Sequence, residues 1–84
     1  VYPNPVRREA TLRFISPKPG MMNLYVYDLS GRRYEVLTNR EMYTGPNEFR
    51  LNFESSPDLI KPGLYILHLD TNHFSDYVKI VIDK

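Results

Sequence analysis

Hydrophobic and polar residues alternate with a period of two along most of the chain. Ala10, Leu12 and Phe14 alternate with Thr11, Arg13 and Ile15, and Met22, Leu24 and Val26 with Asn23, Tyr25 and Tyr27. A period of two sends successive side chains to opposite faces of an extended strand, whereas an amphipathic helix needs a 3.6 period over about 10–12 residues. Residues 47–53 are the cleanest case, with Phe49, Leu51 and Phe53 against Glu48, Arg50 and Asn52, and they predict a strand with one wet side. Residues 64–69 and 77–82 are apolar at nearly every position and predict inner strands, or strands lying against another surface. A weaker strand is predicted over 34–37 and a short one at Val1 and Tyr2.

Pro and Gly punctuate these runs at Pro3, Pro5, Pro17, Pro19-Gly20, Gly31, Gly45-Pro46, Pro57 and Pro62-Gly63. Six or seven short strands at such intervals predict an all-β, immunoglobulin-like antiparallel β-sandwich. Asp28-Leu29-Ser30-Gly31-Arg32 is the strongest turn, because Asp and Ser can bond nearby backbone N–H groups and Gly31 takes positive φ at little cost. It is expected to close a hairpin between the strands on either side. Leu59 stands six residues before Tyr65, a spacing that fits a tyrosine corner, in which the phenol bonds to upstream backbone and fixes a crossing between sheets. A buried Tyr after an ordinary turn fits the same residues.

Composition narrows the function. The chain has 84 residues and no Cys, which excludes a disulfide framework, a zinc finger and a thiol nucleophile. A chain this short buries only about 60–65% of its unfolded surface, so a deep catalytic cavity is hard to build. The net charge of +1 argues against the basic footprint of a nucleic-acid binder. Basic residues outnumber acidic ones seven to four in residues 1–42 and fall to four against six afterwards, an asymmetry too small to name a partner. No apolar run approaches the ~18 residues of a membrane span, and no secretory leader is visible. The sequence opens on Val1 rather than Met, and the expectation is one domain over 1–84, a fragment of a longer chain.

Candidate chemistry is sparse. His68 and Asp70 share a strand face and His73 falls in the following loop, but metal sites gather ligands from several elements, and a solvated strand end is the preferred reading. Asp28-Leu29-Ser30-Gly31 has the wrong spacing for the Asp-Thr-Gly loop of aspartic proteases, and Ser55-Ser56 lacks a nucleophile elbow. There is no phosphate-binding Gly-rich loop and no Asn-x-Ser/Thr site. Tyr25 and Tyr27 could form an aromatic strip for sugars, although Tyr is a favoured strand residue whose ring packs across a sheet while its hydroxyl stays wet. No catalytic residue, cofactor or metal is expected.

Taken in order, Tyr2-Pro3-Asn4-Pro5, the stretch from Leu24 through Asp28 to Gly31-Arg32, Gly45, Pro62-Gly63-Leu64-Tyr65 and Lys79-Ile80-Val81 resemble the type A C-terminal sorting domain of the type IX (Por) secretion system. The resemblance spans essentially the whole chain. Two positions depart from it: Tyr34, where a smaller aliphatic residue is more usual, and Phe53, where Trp is frequent. Both replacements suit a strand.

The resemblance implies an address label rather than a catalyst. Its partners would be an N-terminal cargo in cis, the type IX outer-membrane translocon and a sortase-like cysteine protease that removes the label. The cargo, often a hydrolase, would reach the surface of a Gram-negative bacterium or the medium. The motif residues are Pro3, Asn4, Pro5, Asp28, Gly31, Arg32, Gly63, Tyr65, Lys79 and Val81. Gly31 and Gly63 would supply turn backbone that a Cβ hinders, and Pro3 and Pro5 would hold the leading segment extended. The terminal strand would be read by strand addition, with Lys79 breaking its apolar run, and could also pair two copies as a dimer. The competing reading is a fibronectin type III or immunoglobulin-like accessory module that binds carbohydrate through Tyr25 and Tyr27.

Overall fold

The structure, a computed structural model, describes residues 9–53 and 61–83. Six strands follow one another: β1 (Glu9–Ser16), β2 (Gly20–Tyr27), β3 (Arg33–Met42), β4 (Gly45–Asn52), β5 (Gly63–Thr71) and β6 (Ser75–Ile82). They form two antiparallel sheets, β1-β4 and β3-β2-β5-β6, so the all-β expectation holds. The expected short strand at Val1 and Tyr2, the motif residues Pro3, Asn4 and Pro5, and Ser55, Ser56 and Leu59 lie outside the described residues.

The alternation seen in the sequence is what packs the sheets. Ala10, Leu12, Leu51 and Phe53 from the two-stranded sheet meet Met22, Leu24, Val26, Leu37, Leu67, Leu69, Ile80 and Ile82 from the other in one core. At about 1.5–3 kcal/mol for each fully buried aliphatic or aromatic side chain, this shared core is the main source of stability for a chain without disulfides. Phe14 bridges the layers at one end, stacked on Phe49 and edge-on to Phe74.

Two expectations are corrected. β3 runs to Met42, well past the predicted 34–37, although Thr38, Asn39, Arg40 and Glu41 are all exposed. Pairing with β2 holds it there, and a register shift is accommodated by Asn39 at φ 50°, whose N–H donates to Asn23 Oδ1 at 2.9 Å. Of the two readings of residues 77–82, the inner strand is the one that fails, while Ile80 and Ile82 do lie against the core. β5 is inner, while β6 is the edge strand among the described residues, with Ile80 and Ile82 buried and Tyr77 and Val81 61% and 43% exposed.

Side chains pin the places where the chain changes direction. Buried Asn47 accepts from the Tyr43 N–H at 2.8 Å and donates to the Tyr43 and Gly45 carbonyls at 2.7 and 3.0 Å, fixing the passage from β3 into the opposite sheet. At the same end of the molecule the β1–β2 and β5–β6 turns are tied together. Met21 N–H donates to Asn72 Oδ1 at 3.2 Å, and His73 Nε2 lies 2.8 Å from the Pro19 carbonyl.

Candidate functional site

The β2–β3 hairpin carries the first motif group. Asp28 Oδ1 accepts from the Ser30 N–H at 2.9 Å, the Ser30 hydroxyl at 2.6 Å and the Arg32 N–H at 2.9 Å. The Asp28 N–H donates to the Arg32 carbonyl at 3.0 Å, and Gly31 N–H to the Asp28 carbonyl at 3.1 Å. Gly31 sits at φ 91°, where a side chain is strained. The Ser30 hydroxyl above all, with the backbone N–H groups of Arg32 and Ser30 and the Arg32 charge, holds the Asp28 carboxyl below its usual range against the opposing effect of desolvation. Asp28 is therefore spent on the turn, and Ser30 reinforces it rather than bonding the backbone itself.

The tyrosine corner forms. Tyr65 is 6% exposed and its hydroxyl donates to the Lys61 carbonyl at 2.6 Å. Burial pushes its phenol above the ordinary value, and nearby Tyr34 and Asp28 add to it. Tyr34 itself reaches Asp28 Oδ2 at 3.5 Å, and the Arg32 guanidinium lies 5.6 Å from the Tyr34 ring centroid. Gly63 stands at the start of β5, opposite Ile82, rather than within the turn.

Strand pairing gathers these groups. Tyr27 lies opposite Ile66 and Ile66 opposite Lys79, while Leu64 lies opposite Val81. Asp28, Gly31, Arg32, Gly63, Tyr65, Lys79 and Val81, scattered over the sequence, thus meet at one end of the four-stranded sheet. Lys79 is exposed on its outer face.

The same outer face carries the aromatic residues. Tyr25, His68 and Tyr77 follow one another across β2, β5 and β6. His68 stacks on Tyr77 with centroids 4.2 Å apart and planes 6° from parallel, and lies 5.8 and 6.1 Å from Tyr25 and Tyr27. Its Nε2 is 2.7 Å from the Ser75 hydroxyl, and its Nδ1 is buried without a hydrogen-bond partner among the described residues. These rings pack against one another, and the Arg33 guanidinium covers the Tyr25 ring at 4.4 Å. His68, Asp70 and His73 do not converge: His73 turns to Pro19 and His68 to Ser75. No group of three or more His, Cys, Asp or Glu side chains able to hold a metal occurs among the described residues.

Sequence reasoning passed over Arg33, Ile66 and Asn47. A register count outward from the 28–32 turn places Arg33 opposite Tyr27; the other two positions depend on tertiary pairing. The family model described as secretion system C-terminal sorting domain matches residues 1–83, and no curated protein or solved structure gives a match.

Proposed function

The chain belongs to the secretion system C-terminal sorting domain family, and from that premise we propose that it is an address label read at the motif-bearing end of its four-stranded sheet. Membership makes it a C-terminal type IX secretion signal, carried by a protein that passes the outer membrane to the cell surface or the medium. In this reading the label serves the type IX translocon as a folded ligand. A sortase-like cysteine protease then cuts it from the cargo, which is attached to surface lipopolysaccharide or released. The chain is a substrate in both steps.

The observation that carries the reading is the meeting of the 28–32 turn, the Tyr65 corner and Lys79 at one end of one sheet. A translocon that handles many cargoes needs a feature independent of cargo, and a turn and corner locked by their own hydrogen bonds supply one. β6 is the element placed for contact. Over residues 75–80 it is the outermost of the described strands of its sheet, where a partner strand can add through backbone hydrogen bonds, and a second copy adding there would give a dimer.

Removing residues 79–84 from a reporter fusion is expected to abolish export and leave the folded reporter in the periplasm. Normal export of the truncated fusion contradicts the proposal. The truncation also removes Ile80 and Ile82 from the core, so Lys79→Glu, which leaves the core intact, separates recognition from folding.

A further inference from the structure

Four residues on four strands form one row across the outer face of the sheet: Arg33 on β3, Tyr27 on β2, Ile66 on β5 and Lys79 on β6. The two cations are exposed and the Tyr27–Ile66 middle is half-buried. The Arg33 guanidinium rests 4.4 Å from the centroid of the Tyr25 ring, which holds it against the sheet with its N–H groups at the rim, where they can meet a carboxylate. The ion pair among the described residues joins Arg13 to Glu48, and neither Arg33 nor Lys79 takes part in one there.

Strands about 4.8 Å apart place the two ends of the row about 14 Å apart. An extended chain rises about 3.3 Å per residue and turns alternate side chains the same way, so residues i and i+4 span about 13 Å on one face with i+2 midway. We propose that this row is a docking strip for an extended acidic segment of a partner protein, with Asp or Glu at i and i+4 over Arg33 and Lys79 and an apolar residue at i+2 over Tyr27 and Ile66. The proposal rests on the sorting reading, in which the partner belongs to the export machinery.

The neighbouring row sets the register. It reads Glu35, Tyr25, His68 and Tyr77, so a segment displaced by one row brings its carboxylate against Glu35 instead of Arg33. Repulsion of that kind discriminates against wrong registers and wrong partners. Two cations on a chain of net charge +1 are a poor match for a surface of many phosphates, which favours a protein segment over a lipid surface.

The test uses a reporter fused to all 84 residues in a bacterium with a type IX system. Retention of the unsubstituted fusion overturns the sorting reading and this proposal with it. Given export of that fusion, Arg33→Glu with Lys79→Glu is expected to lower export roughly tenfold or more, the size of effect that 1.4 kcal/mol at the interface produces. Arg33→Lys with Lys79→Arg keeps both charges and is expected to keep export. Arg33→Gln with Lys79→Gln repeats the test should reversal disturb folding, and a lowered export with an unchanged melting curve supports the proposal. Parental export by the reversed or neutral variant, or an equal loss in the charge-preserving one, overturns it. So does charge-dependent binding of the parent to anionic phospholipid vesicles with export insensitive to the reversal, which assigns the row to a membrane.

Discussion

The hydroxyl of Tyr65 donates to the carbonyl of Lys61 across 2.6 Å, from a ring that is itself part of the core. One side chain thus joins the segment leading into β5 to the packing between the sheets. Its ring lies close to Asp28 and Tyr34, so the corner and the hairpin turn support each other at the end where the motif residues meet.

Tyr65→Phe keeps the ring and removes the bond. Because Lys61 is exposed and water can replace the lost donor, the expected cost is about 1–2 kcal/mol. In a domain of this size that lowers Tm by roughly 5–10 °C. The phenol is pushed above its ordinary value of 10.0, so its contribution is present below that pH and is lost as pH rises through the higher folded value. Melting curves of parent and Tyr65→Phe are therefore expected to converge in strongly alkaline solution.

Asp28→Ala removes the acceptor that organises the 28–32 turn and is expected to lower Tm at neutral pH. The Ser30 hydroxyl and the turn N–H groups hold this carboxyl below 3.8, so its stabilisation is present above that pH and is lost as pH falls through the lower folded value. Thermal melts from pH 7 to pH 2 are expected to show the gap between parent and variant closing below about pH 4.

Gly20 is required by a close approach. A Cβ there would run into the Asn72 carboxamide and crowd the His73 ring, the groups that tie the β1–β2 and β5–β6 turns together. Gly20→Ala is expected to cost about 1–3 kcal/mol by overpacking. In an Asn72→Ala background the closest collision is gone, only the His73 ring stays near, and the same change is expected to cost less, so a double-mutant cycle by denaturant unfolding measures the coupling.

The parts of the fold that rest on local pattern were legible in the sequence. Strict alternation marked β1, β2 and β4, and Asp28, Ser30 and Gly31 marked the hairpin turn between β2 and β3. What pairing alone decides was not legible. The outer half of β3 is Thr38-Asn39-Arg40-Glu41, polar throughout, and it is a strand because Met21 and Met22 lie opposite Glu41 and Arg40. β6 reads as buried on both faces because Tyr77 and Val81 are apolar, yet its outer face is the exposed one. The Leu59–Tyr65 spacing left the tyrosine corner and an ordinary buried Tyr equally open, and the Tyr65 bond to the Lys61 carbonyl decides for the corner. The Asn47 clamp could not, since an isolated Asn in a strand carries no signal that it will bond three backbone groups of the preceding turn.

The outer-face row divides along the same line. Tyr27 and Arg33 flank a five-residue turn, so their pairing is a local consequence of the hairpin. Ile66 and Lys79 join them only through the β2–β5 and β5–β6 ladders, which bring together residues far apart in the chain.

The central claim is that these residues form an export label, and the most direct measurement is the distribution of a reporter fused to them. A periplasmic reporter with its own N-terminal leader and residues 1–84 at its C-terminus is quantified in periplasm and outside the cell, in a type IX-competent strain and in one lacking the translocon. Reporter is expected outside the cell only in the competent strain. Reporter confined to the periplasm of both strains, while the same reporter with an established sorting domain is exported, would contradict it.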